Sequence, residues 1–279
     1  MQKTVWFINN YLNLLCKIVA FFVQQYYKCS TQKSFNLYKM RFITLTTFLL
    51  LITTKTFADI NVAVASNFVP TMQKIVAKYT SNNVNVLSGS SGKHYAQIQY
   101  GAPIDLFFSA DQKRPNELLK QQKAIHTFTY AVGRLVYWQP QYKGSKINFE
   151  NTIKQPTKHL ALANPKYAPY GIAARETLTK LTLLKEKEPL FVLGENIAQT
   201  YHFVESGASD SGFVAYSQIK QNKNMNENTF WLVPQHYHSP IKQDVAIIHD
   251  NEEVQQFLNF FQSKDAKDLI LADGYSLND

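Results

Sequence analysis

Past residue 58 the chain has no cysteine, since its two, Cys16 and Cys29, both lie near the N-terminus. The remainder therefore has no disulfide framework, no thiol nucleophile and no thiolate metal site. Its length allows a core large enough to be stable without such cross-links. Residues 1–58 in turn lack Asp and Glu, while holding Lys3, Lys17, Lys28, Lys33, Lys39, Arg41 and Lys55. Those seven carry most of the formal net charge of +9 and leave +2 for the rest, so no nucleic-acid partner is expected. Also missing are a Walker loop, because Gly89, Gly92 and Lys93 do not have its spacing, and a GxSxG elbow around any serine. No internal repeat, low-complexity tract or long linker is found. A chain that is 45% hydrophobic and 18% charged is globular.

What is present begins with an export signal. Lys39 and Arg41 precede an apolar run from Phe42 to Ile52, and Thr56-Phe57-Ala58 has the small-x-small form of a signal-peptidase site. Residues 1–58 are expected to be a leader, with the true start at Met40 and a signal peptide over 40–58. A membrane anchor over residues 5–24 is the rival reading. Asn9, Asn10, Asn13 and Lys17 make it costly in a bilayer. No cysteine follows the apolar run, which argues against a lipoprotein.

From Asp59 onward strand-like and helix-like segments alternate, which predicts parallel sheets covered by helices on both faces. Two strand-to-helix turns share one local grammar. In Val84–Lys93 a β-branched segment ends in Ser88-Gly89-Ser90-Ser91-Gly92-Lys93, and a helix follows. In Asn61–Asn67 a short apolar strand ends in Ser66-Asn67, and Pro70 falls in the first turn of the next helix. Such turns leave backbone N–H groups unpaired beside a hydroxyl, at the positive end of a helix. If the two strands lie side by side, the turns converge at the carboxyl ends of a parallel sheet, where small oxyanions bind. Taken alone, the SGSSG turn is more often a flexible turn or a plain N-cap than an anion site.

Further strands are expected at Ile104–Ser109, Leu135–Trp138, His159–Pro165, Phe191–Leu193, Ser211–Tyr216, Trp231–Val233 and Asp244–Ile248. Helices are expected at Asn116–Lys123, after Tyr170-Gly171, after Gly194-Glu195-Asn196-Ile197, and over Val254–Ser263, which closes the chain.

Several of these segments, in this order, resemble the periplasmic molybdate-binding proteins of ABC uptake systems. They are VAVASNF at 62–68, SGSSGKHYAQI at 88–98, GAPIDLFFSADQKRP at 101–115, GRLVYW at 133–138, LALANPKYAPYGIAARETL at 160–178, GENIAQTYHFV at 194–204 and SGFVAYSQI at 211–219. The resemblance implies an α/β, two-lobed periplasmic-binding-protein fold of the Venus-flytrap, class II kind, with mixed, mostly parallel sheets. Lobe 1 would hold 59–138 plus 232–279, and lobe 2 would hold 139–231. A molybdate or tungstate oxyanion would sit between them. It would be held by Ser66, Asn67 and Ser91 of the first lobe and by the backbone at Tyr170 and Ile197 of the second. No side chain would ligate the metal directly. The protein would be a monomer without a cofactor or catalytic activity, delivering its ion to a permease in the inner membrane. Some members use a tyrosine in the strand matching Ser211–Tyr216. Ala215 stands at that position here, and strand alternation turns Tyr216 to the opposite face.

The chemistry of such a ligand agrees. A tetrahedral dianion without a proton accepts hydrogen bonds only, and neither serine turn contains Asp or Glu. Other readings stay open. They are a receptor for sulfate, phosphate or an organic anion, an exported enzyme using Ser66 or Ser91 as nucleophile, and an adhesion protein with a vestigial pocket. Lys93 reads as solvated, and Asp105 and Asp111 as local caps. His236-Tyr237-His238, with His202 and His249, lacks a third ligand at known metal spacing. Phe107, Phe108, Tyr137 and Trp138 read as core.

Overall fold

The computed structural model describes residues 59–277 apart from Asn82 and Ile147, with Lys17 and Gln24 before them and only the backbone of Phe149. Phe57–Asp279 form one compact unit and Met1–Thr56 another. Both cysteines, Met40 and the expected signal peptide lie outside the described residues.

The first sheet has the order β2-β1-β3-β10-β4. Its strands are β1 (Ile60–Ala65), β2 (Val84–Gly89), β3 (Leu106–Phe108), β4 (His126–Gly133) and β10 (Ile241–Ile247). Strand β1 pairs in parallel with β2 and β3, and β10 runs antiparallel to β3 and β4. Central β1 is buried on both faces, which is why it reads as an unbroken apolar run. Val62, Val64, Leu106 and Phe108 face α1 (Val69–Lys78), α9 (Glu252–Phe261) and α10 (Lys264–Ala272) through Met72, Phe257 and Ile270. Ala63, Phe107 and Ala246 face α2 (Ser91–Gln99) and α3 (Lys113–Lys120) through Ile98 and Leu118.

The second sheet, β7-β6-β8-β5-β9, repeats this pattern. It contains β5 (Leu135–Trp138), β6 (Leu160–Ala163), β7 (Phe191–Gly194), β8 (Ser211–Ala215) and β9 (Phe230–Leu232). Strand β6 pairs in parallel with β7 and β8, and β5 runs antiparallel to β8 and β9. Helices α5 (Pro169–Lys180) and α7 (Ile197–Glu205) lie on opposite faces, packing through Ala174 and Val204. The short helices α4 (Phe149–Thr152), α6 (Leu184–Lys187) and α8 (Tyr216–Gln221) complete the unit.

Several elements differ from expectation. Leu135–Trp138, expected in the first lobe, pairs in the second sheet, so the chain passes between sheets at Arg134. Leu232 likewise pairs with Val136 in the second sheet. Each sheet has as many antiparallel pairings as parallel ones, the antiparallel ones being those of β10 in the first and of β5 in the second. Strand β4 was not expected. It lies at an edge and shows its alternation only in Phe128 and Tyr130, which pack on the core. Ser263, expected to end the last helix, instead starts another, its Oγ accepting the Ala266 N–H. Tyr216 opens α8 and does not extend β8; the Arg134 guanidinium lies 5.2 Å from the centre of its ring. Phe107, Phe108, Tyr137 and Trp138 are buried as expected.

Candidate anion-binding site

Each sheet sends two parallel strands into helices, and in each the two turns are tied by one backbone bond. The Ser66 N–H donates to the Gly89 carbonyl at 2.8 Å, and the Asn164 N–H donates to the Gly194 carbonyl at 2.7 Å. A side chain is excluded at both glycines. A Cβ at Gly89 would fall 2.8 Å from the His94 ring, and one at Gly194 2.6 Å from the Thr200 hydroxyl. The four turns face one another across a small pocket of about 10 Å³.

Ser66, Asn67, Ser90, Ser91 and Ala110 line the pocket from the first sheet, and Ala168, Tyr170, Asn196 and Ile197 from the second. All five residues expected from the sequence are thus brought together. Ser66 is 6% exposed, Ser91 and Tyr170 1% each, and Ile197 3%. Among the described residues no charged side chain lines the pocket.

The donors are set by helix starts. Helices α2, α5 and α7 begin at the pocket with Ser91, Pro169 and Ile197, so their first N–H groups have no partner within the helix. Among the described residues no protein acceptor meets the N–H of Asn67, Ser91, Tyr170 or Ile197. The Gly92 N–H, by contrast, donates to the Tyr167 carbonyl at 2.9 Å. The Ser91 hydroxyl oxygen accepts the Ala110 N–H at 2.9 Å. That bond fixes the oxygen and leaves the hydroxyl proton for another acceptor. The Ser66 hydroxyl has no protein partner among the described residues. Two hydroxyls and several amides, at the positive ends of three helices, make a cavity for negative charge without a cation.

Asn67 contributes differently from expectation. Its side-chain amide donates to Gln243 Oε1 at 2.9 Å and to Tyr275 Oη at 3.1 Å, which leaves its backbone N–H for the pocket. The Tyr170 hydroxyl accepts from Gln243 Nε2 at 3.4 Å. Burial pushes that phenol well above its usual range, so it keeps its proton.

Six lining residues were missed: Ala65, Ser90, Ala110, Ala168, Pro169 and Asn196. Ser90 and Asn196 are the N-caps of α2 and α7: Ser90 Oγ accepts the Lys93 N–H, and Asn196 Oδ1 accepts those of Ala198 and Gln199. Ser and Asn just before an apolar periodic run carry that signal. Ala110, which orients Ser91 from another loop, carries none. Lys93 is exposed, and Tyr216 is not among the pocket residues. Asp111 accepts the Arg114 N–H three residues on, as a local cap does, whereas Asp105 accepts the Asn61 N–H of β1, 44 residues away. Among the described residues no group of three His, Cys, Asp or Glu side chains could hold a metal.

Residues 60–276 match the family model for bacterial extracellular solute-binding proteins. The chain is 37% identical over 230 residues to the molybdate-binding protein ModA of Azotobacter vinelandii, covering 79% of this chain and 90% of that protein. It is 36% identical to the molybdate-binding protein ModA of Rhodobacter capsulatus over 78% of this chain and 88% of that one. The solved periplasmic molybdate-binding protein of Azotobacter vinelandii superimposes with a TM-score of 0.74 at 36% identity, covering 79% of this chain and all of that one. From the doubled sheet, the pocket between its halves and these likenesses together, the chain belongs to the bacterial extracellular solute-binding proteins, in the family of the periplasmic molybdate-binding proteins.

Proposed function

We propose that this chain captures molybdate or tungstate as a tetrahedral dianion between two lobes and delivers it to an ABC permease. Residues 59–133 with 241–277 form one lobe, and 135–232 the other. Ser66 and Ser91 donate through their hydroxyls. Asn67, Ser91, Tyr170 and Ile197 donate through backbone N–H groups. The observation that carries this reading is the convergence of those donors on a pocket with no charged side chain. A ligand that accepts at every oxygen satisfies them all, and each bond to its charge is worth about 1.5–3 kcal/mol. The relatives named for molybdate point to the same ion.

Capture works by closure. The ion docks on one lobe, and its remaining oxygens complete bonds to the other, so it favours the closed form by its greater affinity for it. No bond is made or broken. Ser91 Oγ is paired with a backbone N–H and His94 Nε2 with the Val64 carbonyl, so that imidazole is not set as a base for Ser91. Export through the signal peptide over 40–58 places the monomer in the periplasm. Among the described residues no helix is long and apolar enough to cross a membrane.

Titration calorimetry of the purified residues 59–279 with molybdate, tungstate, sulfate and phosphate tests the reading. Saturable one-to-one binding of molybdate or tungstate, tighter than sulfate and phosphate, is the expected result. A preference for sulfate or phosphate, or no oxyanion binding, overturns it.

A further inference from the structure

Two donors of the first sheet's side reach across the cleft to two successive carbonyls, and none of the four residues lines the pocket. Arg114 Nη2 donates to the Lys166 carbonyl at 3.1 Å, and the Gly92 N–H to the Tyr167 carbonyl at 2.9 Å. Lys166 and Tyr167 stand in the turn that leads into α5, whose Tyr170 N–H faces the pocket. The first sheet's side thus holds the turn that presents a donor from the opposite wall.

The grip is built. Asp111 takes the Arg114 backbone N–H at 3.0 Å on Oδ1 and pairs with Nη1 through Oδ2. The Ser109 hydroxyl donates to Asp111 Oδ1 at 3.2 Å. One edge of the guanidinium is thereby fixed on its own lobe while the other is offered to the opposite one, and the side chain is only 13% exposed. Gly92 completes the approach. A Cβ there would lie 2.9 Å from Tyr167 Cα and 3.3 Å from Arg114 Nη2, so only glycine lets the start of α2 meet this turn. From outside, the Lys166 ammonium lies 5.2 Å from the centre of the Tyr167 ring.

We propose that Arg114 is a positioning residue for anion capture: with Gly92 it latches the Lys166-Tyr167 turn and so sets how long the closed cleft keeps its ion. The proposal rests on the closure reading above and adds to it a residue that touches no ligand. The latch bonds form only when the lobes meet, so their loss raises the free energy of the closed state alone. The ion still docks at the same rate on the donors of one lobe, but escapes sooner.

Stopped-flow protein fluorescence with molybdate, at two salt concentrations, separates the two rates for the wild type, Arg114→Ala, Arg114→Lys and Gly92→Ala. Release about tenfold faster in Arg114→Ala, with association within about twofold of the wild type, is expected from the loss of a charge-assisted bond. Arg114→Lys keeps the charge and should restore part of the residence time. Gly92→Ala, which keeps the guanidinium but crowds Tyr167 Cα and Arg114 Nη2, should speed release by itself. Unchanged release in Arg114→Ala and Gly92→Ala overturns the latch, as does a loss confined to association and steepened by low salt, which is electrostatic steering. A wild type that binds molybdate while the variants behave so leaves the functional reading intact. A wild type that binds no oxyanion removes both.

Discussion

Asn67 Nδ2 donates to Gln243 Oε1 at 2.9 Å, so the side chain beside Ser66 belongs to the join between the sheets and not to the pocket. Around this pair a buried network gathers groups from both halves. Tyr130 Oη donates to Gln243 Oε1 at 2.9 Å, Tyr275 Oη to the Asn67 carbonyl at 2.7 Å and Ser217 Oγ to the same carbonyl at 3.3 Å. Ser217 and Tyr170 come from the second sheet's side, the others from the first. Replacing Gln243 by Leu takes the acceptor from one Asn67 N–H, whereas Tyr130 Oη can still donate to the Ser109 carbonyl at 3.1 Å. An unpaired buried donor costs about 1–3 kcal/mol, so Gln243→Leu should lower unfolding stability by that much. Urea melts check this, and an unshifted midpoint would show that the network does not hold the join. Tyr275→Phe, which takes the acceptor from the other Asn67 N–H, should cost a similar amount.

The two pocket serines differ in what else they support. Ser91→Ala removes a ligand donor and also leaves the Ala110 N–H without its acceptor. Ser66→Ala removes a hydroxyl that has no protein partner among the described residues. Each should weaken molybdate binding by about 1.5–3 kcal/mol, roughly ten- to a hundredfold. Only Ser91→Ala should also lower the unfolding midpoint of the ligand-free protein. Calorimetry paired with thermal melts distinguishes the cases, and equal effects on stability would contradict this division of roles.

Gly133 ends β4 just before the chain leaves the first sheet. A Cβ there would lie 2.2 Å from the Tyr170 hydroxyl and 2.5 Å from Gln243 Nε2. Gly133→Ala must therefore push Tyr170 outward, and Tyr170 carries one of the pocket's backbone donors. Overpacking of this kind costs about 1–3 kcal/mol, and the displaced N–H should weaken anion binding as well. Combining it with Tyr170→Phe removes the clashing oxygen and should recover part of both losses. No recovery would place the strain elsewhere.

The alternation of strands and helices was legible because β1, β3, β6 and β8 are buried on both faces and so read as apolar runs. The pocket turns were legible for a local reason: Ser66-Asn67 and Ser90-Ser91 sit where strand character stops and helical spacing starts. Tyr170 and Ile197 came from the family likeness, because a backbone donor leaves no mark in side-chain chemistry. What stayed hidden was non-local. Nothing near Asn67 announces Gln243 or Tyr275, which lie 176 and 208 residues away. Nothing near Leu135 says that its strand pairs with Ser211–Ala215 instead of β4. Nothing near Arg114 announces the Lys166 carbonyl, which the fold alone brings against its guanidinium.

Two buried histidines give the fold an acid limit above that of its carboxylates. His94, 2% exposed, has Nε2 at 3.2 Å from the Val64 carbonyl and Nδ1 at 3.0 Å from Gln97 Oε1. His238, 6% exposed, has Nδ1 at 2.8 Å from the Ser239 carbonyl. Burial holds both below the usual imidazole value of 6.5, against the opposing pull of those hydrogen bonds. Above that value neither folded nor unfolded chain carries the proton, and the histidines do not affect stability. As the pH falls through 6.5 the unfolded chain binds protons that the folded one refuses, so stability drops until the lower folded values are reached. The slope is at most about 1.4 kcal/mol per pH unit for each histidine. Urea melts at pH 7.5 and 5.5 should therefore show a loss, and His94→Gln should lessen its dependence on pH. Because His94 ties α2 to β1, and so the Ser91 turn to the Ser66 turn, acid should loosen the anion pocket before it unfolds the lobe. Molybdate affinity that stays flat between pH 7.5 and 5.5 while stability falls would separate the histidine from the site.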